Sequence, residues 1–174
     1  MVFLLAFGAL AMGALLILVI ARWAPHPNAH LQATQRVIGG GRPIPYDDFR
    51  ALVIDLLDAL KLEIVLITGS ASALDIIVRS NEPLTSGRFL VHAIWEAPGD
   101  VVDQPYVIRL QDTVRADSAV KGILLTPYTI LTDGLGNLEV PIELVDGMKL
   151  RGLVEKYLPI QRLEEIAKYR GFGL

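Results

Sequence analysis

SALDIIVRSNEPLTSGRFLVHAIWE, residues 72–96, is the stretch whose reading decides the fold. Residues 73–78 are short, apolar and rich in β-branched side chains, Asn81, Pro83, Ser86 and Gly87 interrupt them, and residues 88–95 are apolar again. That pattern predicts two strands joined by a turn. Asp75 stands out as a carboxylate inside an otherwise hydrophobic strand. Burying a charge without a partner is costly, so such a residue is paired, exposed at a strand end, or bound to a ligand.

Outward from this pair the chain alternates strands and helices. Upstream, residues 63–68 predict a strand and 69–72 a turn of small residues. In 47–60, Phe49, Leu52, Val53, Leu56, Leu57 and Leu60 recur at helical spacing and form one apolar stripe, with Asp47 and Asp48 in the first turn. Downstream, Pro98 and Gly99 break the chain, and Val107, Leu110 and Val114 predict a helix over 103–116. Residues 121–125, KGILL, predict a compact buried strand, and 141–144 a short one. Gly134 and Gly136 leave 128–138 open between helix and loop. Asp146 is placed to cap a helix whose stripe is Leu150, Leu153, Val154 and Tyr157, ended by Pro159. Residues 160–170 predict a final, more polar helix, followed by a tail. Strands separated by helices imply crossovers, and hence a mixed α/β sheet with helices on its faces.

The chain of 174 residues has mean hydropathy +0.46, and part of that comes from one segment. Residues 2–20 carry no charge. About 20 apolar residues at ~1.5 Å rise cross a ~30 Å hydrocarbon core. Trp23 follows at the interfacial position. No Lys or Arg precedes the run, which argues against a cleaved signal peptide. Arg22, Arg36 and Arg42 follow it with no acidic residue before Asp47, so the N-terminus is expected outside and the bulk of the chain in the cytoplasm. The expected organisation is a transmembrane anchor over 1–23, a juxtamembrane linker over 24–45, a folded domain over 46–158, and a C-terminal helix and tail over 159–174. His26 and His30 in the linker are too few for a firm metal site, and the prolines around them disfavour a helix. Absence of cysteine excludes disulfides and thiolate-bound metals.

From Asp47 onward, thirteen basic residues face nineteen acidic ones, a net charge of −6. Nucleic-acid binders usually carry a basic face, so this balance disfavours tight DNA binding.

Four pieces, in this order, resemble the catalytic domain of Mrr-type restriction endonucleases within the PD-(D/E)XK nuclease fold. They are YDDFRALVIDLLDALKLEIV (46–65), SALDIIVRS (72–80), KGILLTPYTI (121–130) and IELVDGMKLRGLVEKYL (142–158). The resemblance implies a restriction-endonuclease-like mixed sheet flanked by helices. It implies DNA as substrate and a divalent metal held by an Asp on one strand and a Gln or Glu on the next, with a Lys two residues later. Hard oxygen ligands hold Mg²⁺, the metal activates water, and the lysine stabilises developing negative charge.

Asp75 matches the metal-binding Asp. His92 falls where the Gln or Glu belongs and Ile94 where the Lys belongs. An imidazole suits Zn²⁺ better than Mg²⁺, and an isoleucine cannot replace an ammonium. Arg50 also stands where relatives carry an acid. Arg79 shares a face with Asp75 but lies ~13 Å along the strand. Trp95, Thr126 and Thr129 are expected in packing and turns, and Lys121 at a solvated strand start. The site therefore reads as eroded: Asp75 and His92 remain as vestigial site residues, Asp75 as the one metal ligand. No cofactor is expected, except Mg²⁺ if the site is active. Two functions of different class follow. One is a nuclease-deficient binding or assembly module, membrane-tethered through residues 2–20, with a protein partner that the sequence does not name. The other is a metal-dependent DNA endonuclease of the Mrr type that retains some activity.

Overall fold

Phe49, Leu52, Val53, Leu56 and Leu57 are all buried along α1 (Tyr46–Ala59), as their spacing requires. The computed structural model describes residues 41–82, 86–133, 135, 136 and 138–172. The membrane span expected at 2–20 and the histidines His26 and His30 lie outside the described residues. Among the described residues, no helix is long and apolar enough to cross a membrane.

After α1 the chain forms the antiparallel meander β1 (Glu63–Gly69), β2 (Ala73–Ser80) and β3 (Gly87–Ile94). A two-residue strand, β4 (Val101–Val102), precedes α2 (Gln104–Ala116), which carries the chain over to β5 (Lys121–Leu125), parallel to β3. β6 (Thr129–Ile130) pairs with β4 in a separate parallel ribbon. β7 (Ile142–Val145) then adds in parallel to β5, followed by α3 (Gly147–Tyr157) and α4 (Ile160–Ile166). The main sheet has the order β1-β2-β3-β5-β7. This is the mixed α/β sheet flanked by helices that the strand and helix order implied.

Strand alternation sends side chains to two cores. Leu74, Ile76 and Val78 of β2 and Val91 and Ala93 of β3 pack with α1, α3 and α4. Leu90 and Ile94 of β3 pack with Val107, Leu110 and Val114 of α2. The short pair β4 and β6 escaped sequence reading because two residues show no periodicity. The last helix stops at Ile166 rather than running to 170. There Tyr169 turns inward to bridge Arg42, and the guanidinium of Arg170 pairs with Asp100 at 2.7 Å. Ile44, in the expected linker, and Phe172, in the expected tail, are both buried in the α1-side core. Gly171, at φ +90°, and Gly147 both lie against the Pro127 carbonyl, where a Cβ on either would collide with it.

Asp146 caps α3, its carboxylate accepting from the Lys149 amide at 2.9 Å. Lys121 does not stand free at its strand start but pairs with Glu143 across β5 and β7. The hydrogen bond from Lys121 holds the Glu143 carboxyl below its ordinary value, against the opposing effect of burial. A depressed carboxylate adds stability above its unfolded pKa of about 4.3, lost as pH falls through the folded value. Both side chains are partly exposed, so the contribution is at most about 0.5 kcal/mol after screening. Glu143→Gln is expected to lower the urea midpoint slightly at pH 7, with the difference shrinking below pH ~4. An equal difference at both pH values would contradict this assignment.

Candidate functional site

Register brings two cross-strand rows onto the α2 face of the meander. Leu66 pairs with Ile77 and Ile77 with Leu90, giving an apolar row. Two residues along, Thr68 pairs with Asp75 and Asp75 with His92, giving a polar row. Residues i and i+2 share a face, so the rows lie side by side. α2 forms the opposite wall through Arg109, Leu110 and Thr113, with Asp117 just past its end. The groove between them has a volume of about 410 Å³.

Asp75 and His92 are joined directly, Oδ1 to Nδ1 at 2.6 Å. The His92 side chain is 14% exposed and that of Asp75 60%, so the ring is packed while the carboxylate remains open to the groove. The Asp75 carboxylate accepts from Nδ1–H, which fixes the ring and leaves Nε2 as the second nitrogen. The Tyr106 ring lies 6.4 Å from the imidazole, centre to centre. The neighbouring hydroxyls are spent locally. Thr68 Oγ1 donates to the Asp75 carbonyl at 3.4 Å, Ser70 Oγ to the Ala73 carbonyl at 3.2 Å, and Thr113 Oγ1 to the Arg109 carbonyl at 2.9 Å. Arg109 is exposed, and its guanidinium makes no ion pair among the described residues.

The structure thus brings the two sequence-predicted residues, Asp75 and His92, together. It does not bring Arg79 to the groove, consistent with the distance along the strand. Ile94 is wholly buried among Val102, Leu124 and Tyr128, part of the α2-side core. Trp95 packs on Tyr46 at 4.7 Å between ring centres, and its carbonyl accepts from the Tyr128 hydroxyl at 2.8 Å. Burial, and then the Asp100 carboxylate, push that hydroxyl above its ordinary pKa. Thr126 is a buried turn residue whose Oγ1 accepts from the Tyr128 amide at 3.3 Å.

The strands alone offered no cation near Asp75 and His92, yet Arg109 lines their groove from α2. In sequence, Arg109 and Thr113 occupy polar positions of an amphipathic helix, indistinguishable from a solvated face. Only the crossing of α2 over β3 assigns them to a groove.

The groove offers a divalent cation few protein ligands. Among the described residues, no three or more His, Asp or Glu side chains group closely enough to hold a metal. Asp75 is the single carboxylate of the polar row, and one of its oxygens is engaged by His92. Mg²⁺ takes near-octahedral oxygen ligation, usually one or two carboxylates completed by waters and phosphate oxygens, so here Asp75 would be its one carboxylate from the polar row.

These features define an α/β domain with a five-stranded mixed sheet and a His–carboxylate pair in a half-apolar groove. No protein-family profile matches the chain, and no curated protein matches it. Among solved structures it is similar to the DNA modification-dependent restriction endonuclease AspBHI. The TM-score is 0.44 at 13% sequence identity, over 71% of this chain and 40% of that one. The matched region therefore spans 40% of the length of that chain.

Proposed function

We propose that residues 46–158 form a restriction-endonuclease-like domain of the Mrr kind that does not cleave DNA and acts as a binding or assembly module. Residues 2–20 tether it to a membrane, with the N-terminus outside and the domain in the cytoplasm. The antiparallel meander followed by a parallel strand, with Asp75 on its second strand, supports the fold reading. The observation that carries the functional reading is the state of the catalytic positions. Asp75 is tied to His92, and Ile94 is core. Phosphodiester hydrolysis of this kind needs a metal-bound water and a positive charge at the scissile phosphate. The membrane tether rests on the hydropathy of residues 2–20 and the three arginines that follow them.

One observation favours the second reading, a weak metal-dependent DNA endonuclease: Arg109 supplies a positive charge to the same groove. The two are separated by incubating the full chain in detergent with supercoiled plasmid and Mg²⁺ or Mn²⁺, beside Asp75→Ala. The expected result is no nicking above the buffer control from either protein. Nicking by the wild type that disappears in Asp75→Ala would sink the non-cleaving reading.

A further inference from the structure

Both signs of charge meet an apolar floor in one groove, a combination that neither a polyanion nor a purely apolar partner uses. Duplex DNA presents a phosphate charge every ~1.7 Å and is held by many cations. This groove offers one guanidinium, Arg109, beside two carboxylates, Asp75 and Asp117. Its volume of about 410 Å³ lies in the range typical of small-molecule sites, ~300–1,000 Å³. Such sites combine apolar walls with a few placed polar groups, and here Leu66, Ile77 and Leu90 supply the apolar row.

We propose that the groove binds a small zwitterion, an amino acid with an apolar side chain. Its carboxylate is held by Arg109, its ammonium by Asp75 and its side chain by the Leu66–Ile77–Leu90 row. This names the ligand class of the site on which the binding-module reading rests. The local hydroxyls are already engaged, so the charged groups left to meet a ligand are the Arg109 guanidinium, the open oxygen of Asp75 on the sheet and, past the end of α2, the Asp117 carboxylate; of the two acids, Asp75 is the one seated beside the apolar row. His92 acts as a positioning residue: its Nδ1–H holds the Asp75 carboxylate at 2.6 Å and turns it as one unit with the packed ring. A site built to pair both charges rejects analogues that lack either, because its own group is then left without a partner.

The test is calorimetric titration of the full chain in detergent micelles with four probes: L-leucine, isocaproate, which lacks the ammonium, isoamylamine, which lacks the carboxylate, and a short DNA duplex. L-leucine is expected to saturate, and each truncated analogue to bind at least about tenfold more weakly. Arg109→Ala is expected to weaken leucine and isocaproate by about tenfold or more and leave isoamylamine unchanged. Asp75→Asn is expected to weaken leucine and isoamylamine and leave isocaproate unchanged. Both side chains are exposed, so neither change disturbs packing. The wild-type comparison of leucine with its two analogues does not depend on either variant. The proposal is overturned if leucine fails to saturate by about 10 mM, if the analogues bind as well as leucine, or if both variants bind it unchanged. Duplex binding without leucine binding also overturns it, while leaving the module reading intact. Asp75-dependent plasmid cleavage is the separate result that removes that reading.

Discussion

Phe172→Ala is expected to cost about 3–5 kcal/mol of folding stability, the range for truncating a fully buried aromatic side chain. A residue in a free tail would cost less than about 0.5 kcal/mol. Phe172 has no solvent exposure and shares the α1-side core with Phe49, Leu150 and Ile166. Its carbonyl accepts from the Arg151 guanidinium at 3.0 Å, which anchors the turn onto α3. Gly171 must be a glycine for the chain to reach this place past Pro127 at positive φ. The check is urea denaturation of the full chain followed by circular dichroism. A wild-type midpoint in Phe172→Ala would mean that the C-terminal turn is not part of the folded domain.

Ile94→Lys, the substitution that restores the lysine of the resemblance, is expected to cost about 3–5 kcal/mol and to yield no nuclease. An uncompensated charge in a packed interior is penalised on that scale. Ile94 pairs with Ala73 in register, and both belong to the α2-side core with Leu124 and Tyr128. The new ammonium would displace that packing, and Asp75 is already engaged by His92. Combining it with His92→Gln frees Asp75 but removes the imidazole that positions it. The measurements are the denaturation midpoint and plasmid nicking in Mg²⁺. A variant that keeps wild-type stability and nicks plasmid would show that this core accommodates a catalytic lysine, and the account of Ile94 as a structural closure would fall.

The secondary structure was readable where periodicity was long enough to count. The five buried positions of α1, the limits of β5 and the Asp146 cap all follow from spacing and local chemistry. Asp75 and His92 could be named because a carboxylate and an imidazole are anomalous in apolar strands. That they touch could not be known, since cross-strand register depends on the turn between them and not on either strand alone.

By itself, the sequence determined the order of the five main-sheet strands and the helices between and after them, the acidic balance of the chain from Asp47 onward, and the replacement of the expected lysine by Ile94. Those are local properties, set by side-chain chemistry and by periods of 2 and 3.6 residues. Only the tertiary structure decided that Arg109 lines the same groove as the Asp75–His92 pair, that Ile94 is sealed in the α2-side core, and that Ile44 and Phe172 are buried in the α1-side core. Each of those depends on which elements cross one another, and contacts between residues far apart in the chain leave no periodic trace in it.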